Sequence, residues 1–278
     1  MKTRKIDAFV DCMVIFIVNL CVIIFGIWIS AIPLTKSKNF YMSHFEHNEA
    51  AINHLQSDHM FKDYDPYAIL EDVAEITIDY YFGNSKEYQV MIDGTPLFNK
   101  DEVRHMKDVK DLYVGGQIIA VIAFVLMVGG FFYLAIHFRR IRKRLVVVTC
   151  AFYVVVILLV GAFFLWGYIS YINAPELERN ANGYFVYAFI NFHYLLFPFN
   201  PDKVALATGQ NGYDIYTLTR ILDDKLFMDA GIIIGIVTVC VVILWFIVII
   251  VFYKLHKKLA KKVDEIHEQA RITRETIH

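Results

Sequence analysis

Cysteine is scarce in this chain, a surplus of either charge sign is missing, and each shortage removes a class of protein. The four cysteines, Cys12, Cys21, Cys150 and Cys240, are far apart, and each falls in an apolar run. That excludes a disulfide framework, a zinc ribbon and a CxxC redox pair. Twenty-seven basic residues nearly cancel 28 acidic ones, leaving a net charge of −1. No broadly basic surface is therefore on offer to nucleic acid. The chain also lacks a GxGxxG, a phosphate loop, a GxSxG elbow and an HExxH pair, so the usual nucleotide, serine-hydrolase and zinc-protease signatures are absent. What it has in excess is apolar surface. Of 278 residues 57% are hydrophobic and mean hydropathy is +0.46, against the roughly 45–50% apolar content of a soluble domain.

Four runs, residues 8–34, 114–138, 145–172 and 228–253, reach the length of about 20 apolar residues that a bilayer core demands. The first is no cleaved signal peptide, because its apolar stretch is too long and no small-x-small site follows it. Orientation follows from the basic flanks. Lys2, Arg4 and Lys5 precede the first run; Arg139, Arg140, Arg142, Lys143 and Arg144 fill the loop 139–144; Lys254, Lys257, Lys258, Lys261 and Lys262 open the tail 254–278. The segments 35–112 and 173–227 carry more acids than bases. Both termini and loop 139–144 are thus expected in the cytoplasm, and both long segments outside. The basic runs read as topology signals rather than lipid-recognition sites. Asp7 and Asp11 at the first run fit interfacial anchoring first and polar contact with another helix second.

Segment 35–112 is long enough for a small α+β domain. Asp65-Pro66 marks a helix start and Gly83-Asn84 its end. Tyr88–Ile92 reads as a strand, Asp93-Gly94 as its turn and Pro96-Leu97-Phe98 as the returning partner. Asn99 followed by Glu102 resembles a capping box for a helix that leads into the second span, with Gly115-Gly116 expected to loosen it. In segment 173–227, Tyr184–Phe199 is too short for a span and too apolar for a loop, which predicts a re-entrant or interfacial segment ended by Pro198 and Pro201. Tyr213, Tyr216, Leu218, Ile221, Leu222 and Leu226 are expected to bury against the bilayer surface or against the first outer domain.

Histidine is the one residue type with chemical promise. His44, His47, His54 and His59 cluster with Glu46 and Glu49; an exposed polar helix is the first reading and a metal site the second. His137, His256, His267 and His278 read as surface residues of the cytoplasmic side. His105 and His193 are both expected outside and next to apolar segments. Asp101, Glu102 and Asp108 flank His105 by one helical turn and could orient or charge its imidazole. An unpaired imidazole at His193 would be costly in its apolar surroundings. Taken alone, each of the two reads as structural first and catalytic second.

Two motifs change that balance. "RHMKDVKDL" resembles the HMxDVK motif of the bacterial lipoprotein intramolecular transacylase family, and "NFHYLLFPF" resembles that family's FHxxxF motif. Their order among the spans fits as well, over residues 8–253. The resemblance implies an acyltransferase that moves the sn-2 acyl chain of a diacylglyceryl-modified lipoprotein to the α-amine of its N-terminal cysteine, at the outer face of the cell membrane. It implies His105 and His193 as the catalytic pair, with Asp108 and Lys110 in support, and no metal or soluble cofactor. Two departures stand out: "NPDKVAL" lacks an expected aromatic residue, and Asp223 stands where proline is expected. An α-amine must lose a proton on becoming an amide, and a histidine near pKa 6.5 can take it. Lys110 or backbone N–H groups are candidates for the oxyanion. The competing expectation is a non-catalytic accessory or sensor protein with an outer binding domain; a transporter would need a polar path that the spans lack.

Overall fold

The computed structural model describes residues 2–176 and 184–276. Its elements are α1 (Lys2–Thr35), α2 (Lys38–Phe45), α3 (Glu49–Ser57), α4 (Pro66–Tyr81), β1 (Met91–Ile92), β2 (Thr95–Pro96), α5 (Lys100–Ile136), α6 (Phe138–Asn173), α7 (Tyr184–Leu196), α8 (Pro201–Thr208), α9 (Tyr216–Ile221) and α10 (Asp224–Thr276). Four helices, within Ile6–Thr35, Lys100–Ile136, Phe138–Asn173 and Asp224–Leu259, are long and apolar enough to cross a membrane. The chain is a mostly helical, multi-pass membrane protein. Its outward-facing surface on α6 is what lipid requires: Ile157, Leu158 and Leu159 are 69%, 65% and 65% exposed. α5 has 37 residues, about 55 Å at helical rise, and exceeds a hydrocarbon core of about 30 Å. Its first three turns, "KDEVRHMKDVKD", are too charged to lie in hydrocarbon.

The chain divides into two compact units. The first comprises residues 1–27, 121–153 and 236–278. Ile15, Val18, Leu134, Ile141, Leu145 and Trp245 pack its centre. The buried polar groups of Asn19, Thr149 and Trp245 satisfy one another, as lipid demands, whereas the buried Tyr153 hydroxyl has no partner among the described residues. Asn19 Nδ2 donates to the Ile15 carbonyl (2.7 Å) and to Thr149 Oγ1 (3.1 Å), while Trp245 Nε1 donates to Asn19 Oδ1 (3.0 Å). Asp11, expected first as an interfacial anchor, is instead fully buried and pairs with Arg140 (2.6 Å) and Arg144 (2.7 Å), with the Tyr133 hydroxyl donating to it at 2.9 Å. Cations one turn apart on α6 reach the same carboxylate, so the contact reading is correct. His137 and His256 are half-buried against the rings of Tyr133 and Phe138 rather than free surface residues. The side chains of His267 and His278 lie outside the described residues.

The second unit comprises residues 28–120 and 154–235. Tyr41, Phe45, Leu70, Val73, Tyr88, Phe98, Met106, Leu218 and Ile221 form its core. α4 begins as expected, with Asp65 accepting the Tyr67 N–H (3.0 Å), and is followed by Gly83 at φ 82°. The turn Asp93-Gly94, at φ 48° and 80°, joins β1 to β2 as a tight hairpin turn requires. The expected strands are cut to two residues each, so the unit is helical with a minimal hairpin. Beyond the bond from the Leu97 N–H to the Val90 carbonyl (2.9 Å), the Gln89 side chain donates to the Phe98 carbonyl (2.6 Å) and accepts the Phe98 N–H (2.9 Å), taking the place of backbone pairing there. Leu218, Ile221, Leu222 and Leu226 bury in this core, against residues 41–106. Gly115-Gly116 does not loosen α5, which runs through unbroken. Gly116 is the seat of Trp28, whose ring would lie 1.9 Å from an added Cβ.

Candidate active site

Local sequence sets the first histidine. Asn99 Oδ1 accepts the N–H groups of Asp101 (2.9 Å) and Glu102 (3.0 Å), and the Glu102 carboxylate accepts the Asn99 N–H (2.8 Å). This is the reciprocal cap expected from the spacing. It starts α5 so that His105, one turn later, faces the same side as Glu102. Glu102 does more than cap. Its other oxygen accepts the Leu218 N–H from α9 at 2.6 Å, and the residue is 1% exposed. Burial raises its pKa against those hydrogen bonds.

The second histidine rides on α7, thirteen residues long. Three contacts fix that helix to α6: Ala188 sits on Gly167, where a Cβ would meet it at 3.1 Å; the Tyr184 hydroxyl donates to the Phe164 carbonyl (2.7 Å); Asn191 Nδ2 donates to Ser170 Oγ (3.0 Å). His193 is buried, and its Nδ1 lies 2.9 Å from the Phe189 carbonyl. A carbonyl only accepts, so the proton sits on Nδ1 and the lone pair on Nε2. Burial lowers the pKa of His193 against that bond, which favours the charged ring.

The rings of His105 and His193 lie 6.3 Å apart at 39°. Both line a cavity of about 140 Å³ walled by Met106, Val109, Leu112, Phe189, Phe192, Leu196 and Phe197, with Leu218, Thr219, Leu222 and Phe227 opposite. Burial first, then the neighbouring His193, pushes the pKa of His105 down to about 4, with Asp108 pulling the other way. Both rings are therefore neutral at physiological pH. Tyr81 and Thr219 bring hydroxyls to the wall, and that of Thr219 donates to the carbonyls of Ile215 (3.0 Å) and Tyr216 (3.1 Å). All four cysteines belong to the other unit. What remains is an apolar chamber with two neutral imidazoles, suited to moving a proton on and off a lipid-borne reaction.

The supporting residues divide. Asp108 is engaged by Lys203 at 2.5 Å, a contact that sequence reasoning missed. Lys203 belongs to the "NPDKVAL" stretch, and nothing local links it to Asp108, 95 positions earlier. Lys110 is not brought to the cavity: its ammonium lies 4.0 Å from the centre of the Tyr80 ring and donates to the Ser85 carbonyl at 3.4 Å. Of the His44 cluster, Glu46, His47, Glu49 and His59 are exposed as expected first, while His44 is not. The His44 side chain is 7% exposed and its Nε2 donates to Asp223 at 2.7 Å. Asp223 also accepts the Leu226 N–H (3.0 Å), so the residue found in place of proline caps α10 and anchors His44. Among the described residues no group of three His, Cys, Asp or Glu side chains is arranged to hold a metal ion.

A family model described as "Lit: Lipoprotein intramolecular transacylase Lit" matches residues 12–174, more than half of the chain. His105, Asp108 and Lys110 fall inside that match; His193 and Lys203 lie beyond it. No curated protein and no solved structure matches.

Proposed function

Because the chain belongs to the lipoprotein intramolecular transacylase family, we propose that it transfers the sn-2 acyl chain of a diacylglyceryl-modified lipoprotein to the α-amine of that protein's N-terminal cysteine, leaving a lyso-form lipoprotein. The observation that carries this reading is the meeting of His105 and His193 in one apolar cavity. A binding module has no use for two unprotonated imidazoles facing each other across a greasy chamber; amide formation from an ester does.

The roles follow from hydrogen bonding. His193, with its proton tied to the Phe189 carbonyl, presents Nε2 as the base. As the amine attacks the ester carbonyl, a C–N bond forms, and the amine proton passes to that nitrogen. His105, neutral because of its burial, offers an N–H to the developing oxyanion, the task for which Lys110 is too far round the helix. The tetrahedral centre then collapses, the C–O bond to glycerol breaks, and the imidazolium of His193 returns the proton to the leaving oxygen. Proton transfer of this kind is worth about 10²–10⁴-fold, and donor and acceptor already share one molecule. Val109, Leu112, Phe192 and Phe197 give the acyl chain its apolar bed.

The same proposal puts segments 35–112 and 173–227 outside the cell, with α7 lying in or re-entering the interface, and both termini inside with residues 139–144, which are not the expected loop but the first turns of α6. An α7 of thirteen residues, about 20 Å, supports an interfacial position over a crossing. Mass spectrometry of a lipoprotein N-terminus from cells with and without the chain tests the reaction: an N-acylated lyso-lipopeptide is expected only in its presence, and identical lipopeptides in both would overturn the reading. Labelling a cysteine introduced at Ser57 with an impermeant reagent tests the orientation.

A further inference from the structure

Asp108 follows His105 by three residues on α5, where a carboxylate reaches the neighbouring ring. A carboxylate that close favours imidazolium over imidazole, which would end the neutral state that the cavity otherwise enforces. Its side chain is 16% exposed, so water screens it little. The titratable groups that other elements bring to the cavity of His105 are Tyr81 on α4 and His193 on α7; α8, α9, α10 and the link between the last two bring only Ala207, Leu218, Thr219, Leu222 and Phe227. Glu102, on the same helix, is occupied by two backbone N–H groups. Asp108 is thus the carboxylate that acts on the charge of His105. The cation that holds it comes from α8: Lys203 Nζ, 2.5 Å from Asp108 Oδ1 and 5.6 Å from the centre of the Phe197 ring, itself a wall of the cavity. The Asn200 cap on the Lys203 N–H (3.2 Å) fixes the start of that helix.

Resting on the transacylase reading, we propose that Lys203 is a positioning residue for His105: it ties the Asp108 carboxylate to α8, away from the imidazole, and so keeps His105 an uncharged N–H donor. Without the lysine, Asp108 turns to the ring and holds a proton there.

The test uses the full chain in detergent micelles, with histidine nitrogens labelled for NMR titration and transfer measured on a synthetic diacylglyceryl lipopeptide. In Lys203→Met the His105 titration midpoint is expected to rise from about 4 toward about 6.5. The ratio of transfer rates at pH 8.5 and pH 6.0 should grow about fourfold, since a ring restored to its ordinary pKa of about 6.5 is only one-quarter neutral at pH 6.0, and a charged ring 6.3 Å from His193 opposes the proton that His193 must take from the amine. Lys203→Arg should behave as the parent, and Asp108→Asn combined with Lys203→Met should return both readings to the parent's. Lys203→Gln carries the same expectation where the Met variant fails to fold. An unmoved midpoint, or an equal rate loss at both pH values that Asp108→Asn does not repair, would overturn the proposal. If the parent transfers no acyl chain while the midpoint still moves, the transacylase reading fails and the positioning role stands.

Discussion

The Glu102 carboxylate accepts the Leu218 N–H at 2.6 Å, and through that bond the helix that carries His105 holds the opposite wall of its own cavity. Glu102→Ala would leave the N–H groups of Leu218 and Asn99 unsatisfied, at about 1–3 kcal/mol each. The expected result is a lower melting temperature in micelles and a KM for lipopeptide that rises more than kcat falls. Glu102→Gln, which keeps one acceptor, should lie between the two proteins.

His105→Ala and His193→Ala should each insert and express, yet lose about 10²–10⁴-fold in transfer. Since both act on one transition state, the double variant should be scarcely worse than either single one. Lipopeptide mass after proteolysis is the measurement. A correctly inserted single variant with unchanged transfer would remove the mechanism.

Acid should loosen the second unit. Burial lowers the pKa of His193, and that of His105 to about 4, while an unfolded chain holds both near 6.5. Between those values the unfolded state binds more protons, so the stabilising contribution is complete above about 6.5 and is lost as pH falls toward 4. Glu102, raised by burial, works in the opposite direction at the acid end. The readout is therefore a difference: melting temperature against pH should fall less steeply in His105→Gln than in the parent.

Adjacent glycines on α5 should answer differently to the same change. A Cβ on Gly116 would sit 1.9 Å from the Trp28 ring, whereas one on Gly115 meets nothing within 4 Å. Gly116→Ala should cost about 1–3 kcal/mol of overpacking, and Gly115→Ala should gain up to about 1 kcal/mol of helix propensity. Thermal unfolding of both variants side by side decides it.

These cases also mark what the sequence could reveal. Long apolar runs, the Asp65-Pro66 start and the Asn99–Glu102 cap are written in spacings of a few residues, and the structure carries them all. The histidine pair was legible only through two motifs 88 positions apart. Contacts without a local signature stayed hidden: Glu102 with Leu218, Lys203 with Asp108 and His44 with Asp223 join residues 116, 95 and 179 positions apart. Periodicity says which face is apolar, not which distant polar group will be met there. The short hairpin failed for a different reason, since Tyr88–Ile92 has strand composition but Gln89 takes the backbone's place.

The bonds around Asn19 impose an order on the making of the protein. Its amide on α1 needs Thr149 from α6, and its carbonyl needs the indole of Trp245 from α10. The ribosome delivers the first span some 130 residues before Thr149 and 226 residues before Trp245. Until the last span arrives, the earliest one sits in lipid with an unmet polar group, a costly condition there. A chain stopped short of Trp245 would carry that defect permanently, giving membrane quality control a mark by which to tell an unfinished molecule from a finished one.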